Sequence, residues 1–283
     1  MCRLLGYCAR QSVSVAGVLG GDGLRAFTAL SAMHRDGWGM AWYDSRGPHS
    51  RKSPLRAADE PGYQRLALSS LGDMGLVHLR WATPGLSVSD RNSHPFRHGP
   101  CTFAHNGAIH PQDRLGEILP AAWEQRLGGT TDSERYFLHI MSRLPERHGD
   151  MLAAIGDTIA HIDRRLRPNS LNAVLLTPDA LYAICWYYPD RLPVAQLRGS
   201  ERPHSDEEIA AYFDLSYTGT GDTVVVASSG WPQPGWTGLP NRHVLVVDRA
   251  TLQVSVQPVS TAGRSRSRLG AGARAGGTGP ATA

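Results

Sequence analysis

Short apolar segments with strand spacing fall in two blocks along this chain, and two amphipathic helices lie between the blocks. That order constrains the fold more than any other feature. Arg3 to Ala9, Gly37 to Asp44, Met74 to Ala82 and Cys101 to Ile109 read as strands; the last three show period-2 alternation or short apolar runs closed by Gly, Pro or Asn. A helix is predicted to begin at Thr131-Asp132-Ser133-Glu134, a capping-box pattern in which Thr131 and Glu134 satisfy each other's free N–H groups. Its apolar face runs through Phe137, Ile140, Met141 and Leu144. A second helix is predicted from Asp150 to Leu166, with Leu152, Ile155, Ile159, Ile162 and Leu166 on one stripe. The second block comprises Leu171 to Thr177 and Leu181 to Tyr188, joined by the turn Pro178-Asp179-Ala180, then Thr223 to Ser229, His243 to Arg249 and Leu252 to Val259. Strands, helices, then strands imply an α+β fold with two antiparallel sheets. A doubly wound fold is disfavoured, because βαβ alternation is absent and no G-x-G-x-x-G follows the first strand.

The 283 residues suffice for a substantial core. No apolar run approaches the roughly 20 residues that span a bilayer. Met1-Cys2-Arg3-Leu4-Leu5-Gly6 has no long apolar stretch after its basic residue, so a secretory signal is not expected and the cytoplasm is the default location. The formal charge of +4 is matched by the four arginines at 264, 266, 268 and 274. They lie in a Gly/Ala/Ser/Arg-rich tail, 261–283, that is expected to be disordered, after a single domain over 1–260. The basic balance therefore belongs to an appendage, and no nucleic-acid or membrane partner is expected.

None of the four cysteines forms a CxxC pair. Cys8, Cys101 and Cys185 read as small buried hydrophobes. Cys2 differs because of its position. If Met1 is removed, Cys2 carries a thiol and a free α-amine whose ordinary pKa is about 7.7–8.0. One residue then supplies nucleophile and base, and the protonated amine can return the proton to a leaving nitrogen.

Four polar segments stand out from apolar surroundings: His78 to Gly85, Asn92 to Phe96, Phe103 to Gly107 and Gly129 to Glu134. Arg80 reads either as a solvent-facing strand residue or as a fork for a carboxylate. Asn106-Gly107 is a common turn dipeptide, or else an amide and a backbone N–H aimed at an oxyanion. Asp132 suits a helix's first turn and equally an ammonium group. His94 reads as a hydrogen-bonded loop residue or a support of the site. A fork, an acid, a thiolate and an oxyanion hole converge on glutamine, which carries a carboxylate, an ammonium and a side-chain amide.

The run Met1-Cys2-Arg3-Leu4-Leu5-Gly6, then Asp36-Gly37-Trp38-Gly39, Arg80-Trp81-Ala82-Thr83, Asn92-Ser93-His94-Pro95-Phe96, His105-Asn106-Gly107 and Thr131-Asp132-Ser133-Glu134 resembles class-II glutamine amidotransferase domains in order and spacing, over about Met1 to Val259. The resemblance implies an N-terminal-nucleophile hydrolase fold, a four-layer αββα sandwich with two antiparallel sheets. It implies Cys2 as nucleophile, Asn106 and Gly107 as the oxyanion-hole pair, Arg80 on the glutamine carboxylate and Asp132 on its amine. Trp81 and Thr83 fall in the same substrate-binding loop, and His94 takes a supporting position. No metal and no cofactor are expected. Pro84 stands where larger members often have His, and no ammonia-accepting synthase domain is expected after this one. The chain is therefore similar to compact stand-alone members, among them the ergothioneine-pathway γ-glutamyl amidohydrolase.

The expected activity is hydrolysis of the side-chain amide of glutamine or of a γ-glutamyl amide, releasing glutamate and ammonia or an amine. A glutaminase subunit serving a separate synthase and a non-catalytic γ-glutamyl or amino-acid sensor are the alternatives. A sensor would need Arg80 and Asp132 but neither Cys2 nor Asn106. The loops 46–62 and 196–221 are expected to set substrate size.

Overall fold

The computed structural model describes residues 2–83, 85–200 and 202–261. Met1, Pro84 and the tail beyond Thr261, on which sequence expectations fall, lie outside the described residues. Among the described residues, two large sheets form, and their pairings are antiparallel. One has seven strands, in the spatial order Thr237–Leu239, Leu215–Gly219, Thr223–Ser228, Arg3–Val13, Gly72–Leu79, Trp38–Asp44 and Gly47–Ser53. The other has six: Val254–Pro258, His243–Asp248, Ala180–Cys185, Asn172–Leu176, Cys101–Asn106 and Phe96–His98.

Side-chain alternation along the strands builds the layers. On the first strand, Leu4 and Cys8 face inward and meet Ala104, Val174, Leu176 and Leu181 of the other sheet. Leu5 and Tyr7 face outward, onto Val15 and Phe27 of helix Val15–Ala29 and Tyr63 and Ala67 of helix Pro61–Ser69. The outer face of the six-stranded sheet, with Phe103, Ala173 and Leu175, is covered by helices Asp132–Arg143 and Met151–Arg165 through Phe137, Ile140, Ile155, Ile159 and Ile162. The result is the four-layer αββα sandwich.

The expected strands and both expected helices are present, with ends moved by a few residues. The strand read as Met74 to Ala82 spans Gly72–Leu79, which leaves Arg80 to Thr83 as loop. The strand read as Cys101 to Ile109 stops at Asn106, and Ile109–His110 instead pairs with Arg167–Pro168. Three readings differ from the structure; the first is that 196–221 is one loop, whereas helix Asp206–Ala210 and strand Leu215–Gly219 fall within it. Residues 46–62 are not an open loop; Gly47–Ser53 is an edge strand on Trp38–Asp44, and its polar sequence, Gly-Pro-His-Ser-Arg-Lys-Ser, lacks the alternation that marks a half-buried strand. The capping box is only half formed. Thr131 Oγ1 accepts from Glu134 N at 3.1 Å, but the Glu134 carboxylate accepts from Gly128 N and Gly129 N at 2.9 and 2.8 Å. No helix among the described residues is long and apolar enough to cross a membrane.

Candidate active site

Cys2 immediately precedes the first strand, the fourth of seven in its sheet, and is 6% exposed. Its main-chain nitrogen donates to Asn106 Oδ1 at 2.8 Å, and its Sγ lies 3.8 Å from the Trp81 carbonyl oxygen. Asn106 ends the Cys101–Asn106 strand of the opposite sheet, so this hydrogen bond joins the two layers. Asn106 Nδ2 is buried and has no partner. That is expensive for an amide donor in a folded interior and marks a place where an acceptor belongs. Gly107 follows with no room for a side chain: a Cβ there would come 2.0 Å from the Ser170 carbonyl oxygen and 2.7 Å from His105 Nε2.

Arg80 leaves its strand and folds back, 3% exposed. Its guanidinium donates to the Asp36 carbonyl at 3.4 Å and the Ser87 carbonyl at 3.1 Å. Burial lowers its pKa, while the nearby Cys2, Asp36 and Asp132 favour the charge. The 36–37 and 80–82 segments are strapped together: Arg80 N donates to Gly37 O, Asp36 N to Arg80 O and Ala82 N to Asp36 Oδ2, the last at 2.8 Å. Asp132 is the first residue of its helix and 2% exposed. One of its oxygens accepts from Ile109 N at 2.8 Å; the other is 3.4 Å from Ser133 Oγ.

Three buried histidines back the site. His94 has no partner on either ring nitrogen, and its ring lies 4.0 Å from that of His78 and 4.7 Å from that of Phe96. Burial drives both His78 and His94 well below the ordinary imidazole value, so the pair is neutral. His105 is held at both nitrogens, Nε2–H donating to Ser170 O at 3.0 Å and Nδ1 accepting from Ser133 Oγ at 2.9 Å; burial lowers its pKa as well.

Seven of the eight residues singled out from the sequence line one small cavity: Cys2, Arg80, Trp81, Thr83, His94, Gly107 and Asp132. Asn106 reaches the site through its bond to Cys2. The cavity is only about 20 Å³; Ala82, Thr83 and Leu86 form part of its wall, and the Ser87 carbonyl holds the guanidinium. Sequence reasoning missed Asn92, His105, Thr131, Ser133 and Leu86 in its wall, and Asp36 beneath it. Asp36, Asn92, His105, Thr131 and Ser133 were inside the quoted motifs, so the signal was present without a role attached. Asn92 bridges two of these segments, donating to Ser87 O and accepting from Thr130 N. A cleft of about 550 Å³ around Arg147, Asp157 and Val259 holds none of these groups. No cluster of three or more His, Cys, Asp or Glu side chains placed to hold a metal ion occurs among the described residues.

Comparison with known proteins places the chain in a family. The chain is 26% identical over 255 residues to the gamma-glutamyl-hercynylcysteine sulfoxide hydrolase of Mycobacterium tuberculosis (strain ATCC 25618 / H37Rv), covering 87% of this chain and 93% of that one. It is 28% identical over 197 residues to YafJ of Escherichia coli (strain K12), covering 66% and 72%. A solved structure of a glutamine aminotransferase class-II domain protein from Silicibacter pomeroyi superposes with a TM-score of 0.60 at 18% identity, over 92% of this chain and all of that one. The glutamine phosphoribosylpyrophosphate amidotransferase from B. subtilis superposes at 0.56 and 15% identity, over 92% of this chain and 50% of that one. The family model for class-II glutamine amidotransferases matches residues 1–265, and with the αββα layers on the page this chain is an enzyme that belongs to that family.

Proposed function

We propose that the enzyme hydrolyses a γ-glutamyl amide by covalent catalysis at Cys2. The observation that carries this reading is the divided Asn106 amide: its oxygen holds the Cys2 nitrogen while its buried Nδ2 waits for an acceptor. With Met1 removed, that nitrogen is an α-amine and takes the thiol proton. The sulfur attacks the γ-carbonyl carbon; a C–S bond forms, and the carbonyl π pair moves to oxygen, which accepts from Asn106 Nδ2–H and the Gly107 N–H. Collapse breaks the C–N bond, the amine's proton goes to the leaving nitrogen, and a γ-glutamyl thioester remains. Water then attacks the thioester, the amine takes its proton, and glutamate leaves with the thiol restored.

Arg80 takes the substrate α-carboxylate as a bidentate pair, replacing the Asp36 and Ser87 carbonyls. Asp132 receives the α-ammonium on the oxygen that Ile109 leaves free. Trp81 and Thr83 wall the glutamyl chain, and His94 supports the floor as a neutral ring.

The relative named as a gamma-glutamyl-hercynylcysteine sulfoxide hydrolase, matched over nearly its whole length, favours a γ-glutamyl amide larger than glutamine. The deciding experiment is glutamate release by the Met-processed enzyme across a panel of γ-glutamyl amides and glutamine, with intact mass after quenching. Turnover with a thioester adduct on Cys2 supports the reading. Turnover by Cys2→Ala removes it. Activity on glutamine only when a synthase is added would instead assign a glutaminase subunit, and binding without an adduct a sensor.

A further inference from the structure

We propose that Arg3 is an electrostatic positioning residue for this reaction, a fixed cation that keeps the α-amine of processed Cys2 in its neutral, proton-accepting form. The inference rests on the Cys2 reading above. Arg3 is 2% exposed, yet it has no carboxylate at ion-pair distance among the described residues. Its partners are neutral: Nη1 donates to the Cys2 carbonyl at 3.4 Å and the Tyr212 carbonyl at 3.2 Å, and the guanidinium stands 4.0 Å over the Tyr212 ring. Nε is buried with no partner. A chain gains nothing in stability from burying a charge against carbonyls and a ring when an apolar side chain could fill the space. The unmatched charge points to work done on its neighbour.

That neighbour is the nucleophile. Nη1 is 3.4 Å from Cys2 O, and one residue step is about 3.8 Å, so the charge sits within about 7 Å of the amine. A like charge at this range disfavours the ammonium form. Other groups around Cys2 do not cancel it. His34, His78, His94 and His105 are each pushed down by burial and carry no charge; Arg3 itself is the next cause after burial for His34. Tyr212 is pushed up to about 12 by burial and is neutral; His204 meets its ring. Asp36 faces Arg80 and the Ala82 amide. In the free enzyme, whose base the test reads, the buried Arg80 and Asp132 line the same cavity with opposite charges and offset each other. Arg3 is left as the standing field at the base.

The test is kcat/KM against pH for the full-length, Met-processed enzyme with γ-glutamyl-p-nitroanilide. The acidic limb reports the free enzyme's base. Arg3→Met should move that limb upward by about one pH unit, a loss of about tenfold below it that is recovered near pH 9. Arg3→Lys should keep the limb in place. A loss by the same factor at every pH, or an unmoved limb, assigns Arg3 to packing alone and overturns the inference. Should Arg3→Met not fold, the same profile for Arg3→Gln, which keeps a donor for the Cys2 and Tyr212 carbonyls without the charge, decides: a limb moved upward supports the inference, and an unmoved limb overturns it. If Cys2→Ala keeps its activity, the Cys2 reading itself has failed; if Cys2→Ala is dead and the limb does not move, only the Arg3 inference has.

Discussion

Asn106 serves two sides of one site with one amide. Replacing it by Ala removes both the anchor of the Cys2 nitrogen and the unpartnered donor, so kcat should fall by about 10²–10³ with KM changed little, as for loss of an oxyanion donor. Steady-state kinetics check this, and an unchanged kcat would place the oxyanion elsewhere. Cys2→Ala should abolish turnover and leave the melting transition within a few degrees, because losing one buried sulfur costs about 1 kcal/mol, or about 2–4 °C in a domain of this size. The residues that were legible in advance, Cys2, Arg80, Asn106, Gly107 and Asp132, share a trait: each is a polar or special residue set against an apolar strand or at a helix start. The contacts of Asp36 and Arg3 were not legible, although both residues lie inside the sequence motifs: these contacts join main-chain and side-chain groups 44 and 209 positions apart, and spacing along the chain carries no trace of them.

Helix Asp132–Arg143 shows how an element can be foreseen while its wiring is not. Thr131 caps it as expected, and Thr131→Ala should cost about 1 kcal/mol in a urea denaturation. Glu134, however, reaches back past Thr131 to two glycine amides and so pins residues 128–129. From there Thr130 and Asn92 continue the link to Ser87 over the cavity. Glu134→Ala should therefore cost stability, about 1–3 kcal/mol for the released amides, and should also raise KM by loosening the loop. A KM unchanged within twofold would confine Glu134 to the helix. The capping pattern was readable because Ser/Thr-x-x-Glu is a local code, whereas the choice of Gly128 and Gly129 over Thr131 depends on a loop whose path the code does not contain. Helix Val15–Ala29 was missed for a related reason: its Gly-Gly-Asp-Gly stretch and the non-helical Gly20 interrupt the apolar stripe.

Among the described residues, burial keeps five histidines neutral: His34, His78, His94, His105 and His139. Their folded pKa values lie below the ordinary 6.5, so on acidification the unfolded chain takes up protons that the folded chain refuses. Stability is then held above about pH 6.5 and lost below it, by about 1.4 kcal/mol per pH unit for each ring that stays neutral. Thermal melts between pH 7.5 and 5 should show a steep fall that His94→Phe makes shallower; a flat profile would mean the rings can charge in place. The two-sheet architecture was legible because period-2 strands and amphipathic helices came in blocks, while edge strands such as Gly47–Ser53 and Thr237–Leu239 lack that signal. The distance between the layers was not legible at all. It is set where Gly6 faces Val174 and Leu181, whose methyl carbons would come 2.9 and 3.0 Å from any Cβ placed there. Cys2 rides on one sheet and Asn106 on the other, so the proposed nucleophile and oxyanion donor stay in register only while the layers hold that gap. Gly6→Ala should accordingly lower kcat by more than its cost in stability suggests. A wedge between the sheets would silence this enzyme from a place that no substrate visits, which makes the layer spacing itself a target for allosteric inhibition.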